Sequence, residues 1–165
     1  MTEDDARHLG RAFALAREAR ARGDAAFGAV LLAADGAGVF EARNTAPSTG
    51  DVSAHAEMNA LRDAAARSGG TALKGATLYA SCEPCPMCAT AAHLGGVSRV
   101  VFGIRASELP RARSGPLPWP PVEIPAAEVA ARGGGRMAVE GPCLEDEAAA
   151  PHAGLGGGGG RPAGA

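Results

Sequence analysis

Thr77 to Ile104 reads TLYASCEPCPMCATAAHLGGVSRVVFGI, and the order of residue types in it decides the fold. Thr77 to Ala80 is a short apolar run of strand-forming residues, which predicts a buried strand. Cys85 to Leu94 predicts a helix: Pro86 suits an early helical position, where its missing N–H costs nothing, and Gly95-Gly96 close the segment. Arg99 to Ile104 (RVVFGI) is again apolar and β-branched and predicts a further strand.

The same alternation extends outward. Upstream, Leu9, Phe13, Leu15, Ala16 and Ala19 recur at helical spacing between Asp4 and Arg22, and Gly23 stops that helix. Phe27 to Leu32 and Val39 to Asn44 read as two strands of a hairpin turned at Asp35-Gly36. Ala46 to Asp51 has loop chemistry, and a helix beginning near Ala54 runs through Arg67 to Ser68-Gly69-Gly70. Downstream, Pro110 to Pro125 holds six prolines, which cannot make a regular helix or central strand, so a structured loop or lid is expected. Glu128 to Arg132 predicts a short helix, Met137 to Glu140 a last strand, and Leu144 to Ala150 a last helix. Helices alternating with strands predict an α/β fold, a three-layer α/β/α sandwich on one central mixed sheet of about five strands. Residues 1–153 are expected to form one domain, and 154–165, with five consecutive glycines, a disordered tail.

Bulk properties narrow the function. The formal net charge of -2 and the pI near 6.1 provide no global attraction for phosphates, so a nucleic-acid partner is disfavoured. Arg105, Arg111 and Arg113 make a small local basic group that solvation explains. With four Phe, one Tyr and one Trp, the core must be built from Ala, Val, Leu and Ile. No apolar stretch approaches the roughly 20 residues needed to cross a bilayer. The opening MTEDDARHLG is acidic and polar, unlike a secretory signal, so a cytoplasmic protein is expected. Three of the four cysteines, Cys82, Cys85 and Cys88, fall within one short stretch, which suggests a metal more than disulfides; Cys143 reads as packing.

Two motifs carry the chemistry together: His55-Ala56-Glu57 at one helix start and Pro84-Cys85-Pro86-Met87-Cys88 at the next. Catalytic zinc takes three nitrogen or sulfur ligands and keeps its fourth position open to water. His55, Cys85 and Cys88 supply three, with Cys85 and Cys88 at i and i+3 on one face of a first turn. A helix start also favours thiolates, because its unpaired N–H groups and macrodipole stabilise negative charge. Glu57, two positions after His55, is placed to move protons beside the metal without ligating it. A closed structural zinc module would need a fourth ligand, for which Cys82 is the candidate. It would leave Glu57 without a purpose.

H-x-E followed by P-C-x-x-C is the signature of zinc nucleobase deaminases. From Phe27 to Gly103 the chain resembles the cytidine deaminase superfamily: FGAV on the first strand, Asn44 ending the second, HAEMNALR from His55 and SCEPCPMC from Ser81. EPCPMC together with Asn44 is most similar to the branch of bacterial guanine deaminases and tRNA adenosine deaminases, and GPCLEDE at Gly141 is similar to the start of that branch's last helix. The resemblance implies a zinc-dependent hydrolytic deaminase and a homodimer. It implies that Asn44 hydrogen-bonds the substrate base and that the Ala56 backbone N–H contacts its carbonyl or new oxygen. Asn44 also has the plainer reading of a turn residue.

Substrate identity is carried by the part that matches least, residues 105–152. A free base, guanine or a related aminated purine, pyrimidine or s-triazine, is the first expectation, and a tRNA adenosine the alternative. Trp119 is either packing filler or a platform for a flat heterocycle. Phe27 reads as core or pocket wall. Glu145, Glu147 and His152 read most simply as a solvated face, with Glu145 the candidate to meet a substrate donor.

Overall fold

Alternation along the strands builds a sheet that is buried on both faces. In the computed structural model, which describes residues 1–109 and 121–154, five strands lie in the order β2-β1-β3-β4-β5. They are β1 (Gly28–Leu32), β2 (Val39–Arg43), β3 (Thr77–Cys82), β4 (Arg99–Ile104) and β5 (Ala138–Glu140). β1 runs antiparallel to β2 and β3, whereas β4 runs parallel to β3 and β5. A short turn joins β1 to antiparallel β2, whereas the parallel pairs β3–β4 and β4–β5 are joined by crossovers long enough to hold a helix.

Among the described residues six α-helices complete the layers: α1 (Glu3–Ala21), α2 (Ala46–Thr49), α3 (Ala56–Ser68), α4 (Pro86–Gly95), α5 (Ala126–Arg132) and α6 (Glu145–Ala149). Ala29, Leu31, Leu78 and Val100 face α3, α4 and α5. Val30, Tyr79 and Val101, one residue out of phase, face α1 and α6. This is the three-layer α/β/α sandwich the alternation of elements predicts. Among the described residues no helix is long and apolar enough to cross a membrane.

The scarcity of aromatics is met by close approach. Ala12, Ala16 and Ala19 line the buried side of α1, and Gly28 lies beneath it, where an added Cβ would collide with the Ala12 carbonyl and the Leu15 side chain. The N-terminus of α1 is fixed by a reciprocal cap. Asp5 N–H donates to Thr2 Oγ1 (3.1 Å) and Thr2 N–H to Asp5 Oδ2 (2.7 Å).

Asp5 also accepts from Tyr79 Oη (3.0 Å) and from both terminal nitrogens of Arg99 (2.6 and 3.0 Å), while Arg99 holds Glu140 on β5 at 2.8 and 2.6 Å. Arg99 holds the buried Asp5 carboxyl far below the usual carboxylate range. A depressed folded-state value adds stability above about pH 4, where the unfolded carboxyl is ionised, and that stability is lost as the pH falls toward the folded value. Asp5→Asn is therefore expected to lower stability at pH 7 by about 2 kcal/mol, because it weakens the charged hydrogen bonds to the half-buried Arg99, which keeps Glu140. Its urea midpoint should fall less than that of the native protein between pH 5 and 3. Parallel acid limbs for the two proteins would contradict this.

Several boundaries differ from the sequence expectation for local reasons. Ala46 to Asp51, expected as loop, begins with the helical turn α2, because Asn44 Oδ1 accepts from Ala46 N–H (3.0 Å) and Asp24 Oδ1 from Ser48 N–H (2.9 Å). α3 starts at Ala56, two residues late, since His55 stays extended as its N-cap. β3 continues to Cys82, and the last helix covers only Glu145–Ala149 before a 3₁₀ turn at Ala150–His152. Most of the expected proline lid and tail, with Arg111, Arg113 and Trp119, lies outside the described residues.

Candidate active site

His55 and Cys85 occupy the same kind of position, the extended N-cap of a helix: His55 at φ -68°, ψ 156° before α3 and Cys85 at φ -64°, ψ 165° before α4. From an N-cap a side chain reaches forward over the first turn, which is how Cys85 meets Cys88 on α4. Glu83 fixes the approach to α4. Its N–H donates to Ile104 O (2.8 Å), and its carboxylate accepts from Ala106 N–H (3.3 Å) and Ala126 N–H (3.1 Å).

The three candidate ligand atoms form an even triangle. Cys85 Sγ to Cys88 Sγ, Cys85 Sγ to His55 Nδ1 and Cys88 Sγ to His55 Nδ1 are each 3.6 Å. Bond lengths of about 2.3 Å for zinc–sulfur and 2.0–2.1 Å for zinc–nitrogen at tetrahedral angles require edges of about 3.8 and 3.6 Å. The donor set and its spacing therefore fit zinc. Among the described residues these three are the convergent group. Cys82, the candidate fourth ligand of a closed site, packs with Leu9, Phe13 and Ile104 in the cluster beneath α1.

A family model for the cytidine and deoxycytidylate deaminase zinc-binding region matches residues 2–104. The chain belongs to this deaminase family. The probable cytosine deaminase of Schizosaccharomyces pombe is 31% identical to it over 166 residues, 96% of either chain. The tRNA-specific adenosine deaminase of Bacillus subtilis is 40% identical over 103 residues, 62% of this chain and 63% of that protein. The tRNA(Ile)-lysidine synthase of Deinococcus radiodurans is 45% identical over 95 residues, and the chain spans only 16% of that relative's length. Among solved structures, NE0047 in complex with 2,6-diaminopurine aligns over 87% of this chain and 77% of its own, with a TM-score of 0.70 and 26% identity.

In this deaminase-family site Glu57 stands in the first turn of α3, 8% exposed, with its carboxyl against Cys88. Burial, aided by the charge of Cys85, pushes its pKa up to about 7. The Cys85 thiol is pulled down to about 4 by the hydrogen bond from Cys88 and by His55, while Cys88 is driven upward by that same bond and by burial. His55 is raised by its bond to Cys85. His55, Cys85 and Cys88 would hold a zinc ion here, with both sulfurs bound as thiolates.

The other candidates are placed unevenly. Asn44 is buried beside the start of α2; its N–H donates to Phe27 O (3.0 Å) and its Oδ1 is taken by Ala46 N–H. Ala56 is the first residue of α3, where a backbone N–H has no acceptor within the helix. Phe27 is half-buried and packs against both core clusters, its ring 5.3 Å from that of His152. His152 corrects the sequence reading: it is buried, because Arg20 Nη1 donates to Pro151 O (2.9 Å) and Ala153 O (2.7 Å) and draws the turn onto α1. Glu145 is exposed at the start of α6. Sequence reasoning passed over Glu83 and Asn59; the signal for each was its place inside a stretch quoted for the resemblance, SCEPCPMC and HAEMNALR, just outside the zinc motif.

Proposed function

We propose that the protein is a zinc-dependent aminohydrolase acting on a free amino-substituted heterocyclic base, guanine or a related purine, pyrimidine or s-triazine, within one domain of residues 1–153. The observation that carries the reading is the buried Glu57 carboxyl beside a three-atom ligand set that lacks a fourth side chain among the described residues. Zinc in a site of this kind acts as a Lewis acid and lowers the pKa of water in its open position to about 7.

The chain's own groups do the rest. Asn44, its carboxamide oxygen held by Ala46, orients the ring, and the Ala56 N–H meets the oxygen side of the substrate. Glu57 takes a proton from the attacking water and delivers one to a ring nitrogen. A later transfer gives the departing nitrogen its last proton. One C–O bond forms, one C–N bond breaks, and water and amine become carbonyl and ammonia.

A free base is favoured over tRNA because the relative matching over 96% of the chain is named for a free base and the structure aligned over 87% holds one. The tRNA-specific deaminase matches over 62%. The net charge of -2 points the same way. A homodimer is part of this reading, and the outward stripe of α4, with Met87 and Leu94 exposed, supplies an apolar face for it. The cytoplasm, which keeps thiols reduced, suits the four free cysteines.

Ammonia release from a panel of aminated bases by the zinc-loaded protein tests the proposal, with an anticodon stem-loop RNA as a further substrate. Turnover of at least one base is expected. Inosine in the RNA with no base turned over would transfer the assignment to tRNA, and silence throughout would remove it.

A further inference from the structure

One side chain outside the ligand set touches both segments that carry the site. Asn59 lies one turn into α3, and its backbone N–H donates to His55 O at 2.9 Å. Its Nδ2 donates to Arg43 O (3.0 Å), to Thr45 Oγ1 (3.1 Å) and to Ala54 O (3.3 Å). Arg43 and Thr45 flank Asn44, and Ala54 precedes His55. The same two segments are joined by Thr45 N–H donating to Ala54 O at 3.0 Å. On the far side of the carboxamide Arg62 Nη1 donates to Asn59 Oδ1 at 3.4 Å, which turns the nitrogen toward the three acceptors.

The residue type is specified by this geometry. A carboxamide nitrogen has two N–H donors and no charge. Its two hydrogens serve three acceptors, the longest contact, to Ala54 O, being shared. A hydroxyl has one donor, and a carboxylate has none and would set negative charge against these oxygens. An apolar residue would remove the bonds to Arg43 O and Thr45 Oγ1 and leave Ala54 O with Thr45 N–H alone.

We infer that Asn59 is a positioning residue of the deaminase site, clamping residues 43–45 onto 54–55 and so setting Asn44 against His55. The inference rests on the proposed roles of those two residues. A base held through Asn44 is placed relative to the metal ligands by this amide together with the Thr45 N–H to Ala54 O bond beside it. A misplacement of about 1 Å at a reacting centre costs about 100-fold in rate.

Asn59→Ala and Asn59→Asp, with Thr45→Val as a milder change that removes one acceptor and leaves α3 intact, test it. Steady-state kinetics on the best base of the panel should show KM raised, kcat lowered and kcat/KM down about 10- to 100-fold for the Asn59 variants. Zinc content should equal that of the native protein, and Thr45→Val should fall between. Hydrogen exchange of the Thr45 amide should accelerate in Asn59→Ala. A lower melting temperature with native KM and kcat would make Asn59 merely structural and overturn the inference, as would an unchanged Thr45 amide. If neither Asn59 variant folds, native KM and kcat in Thr45→Val overturn it. Native protein inactive on every substrate would sink the proposed function instead, and the Thr45 amide would still decide the clamp.

Discussion

Glu57→Gln is expected to keep its zinc and its fold and to lose turnover by about 1,000-fold, the middle of the range for a general acid–base. The exchange is nearly isosteric, and Glu57 is not among the convergent ligand atoms. A glutamine there cannot take a proton from water or return one to a leaving amine. Because the native carboxyl is buried at a cost that raises its pKa to about 7, the neutral amide should raise stability slightly above that pH. KM should stay within a few-fold, since the change removes proton transfer and not ring binding. Metal analysis beside kcat checks this. A Glu57→Gln variant that retains a tenth or more of native kcat would remove Glu57 from the chemistry.

Cys88→Ser should do the opposite and lose the metal. Cys88 is fully buried at one corner of the 3.6 Å triangle, and a serine hydroxyl is not a thiolate. Structural zinc sites bind with about 12 kcal/mol over four ligands, so one sulfur is worth about 3 kcal/mol, or about 100-fold or more in zinc affinity. Dialysis against a weak chelator should strip Cys88→Ser at concentrations that leave the native protein loaded. The stripped protein should also melt lower, by the binding free energy it forgoes. Cys82→Ser should keep its zinc, because Cys82 packs beneath α1. Zinc loss from Cys82→Ser equal to that from Cys88→Ser would favour a closed site.

The legibility of these features in the sequence follows chain separation. The strand–helix–strand order around Thr77 to Ile104 is written in neighbouring residues, as are the two N-cap ligand motifs, so the layers and the triangle were foreseeable. α2 was missed because one of its two capping groups, Asp24, lies 24 positions from the N–H it accepts. Asn59 hid for a similar reason: its acceptors are 16, 14 and 5 residues away. His152 was misread as solvated because Arg20, 131 positions from Pro151, makes the turn that buries it. Periodicity reports what a residue's near neighbours need, and these contacts are made by the finished sheet.

X-ray absorption at the zinc edge of the loaded protein tests the central claim most directly. Two sulfurs at about 2.3 Å and two lighter atoms at about 2.0–2.1 Å are expected, one imidazole nitrogen and one oxygen from solvent. Three sulfurs, with Cys82 completing the set, would contradict the open site and the deamination built upon it.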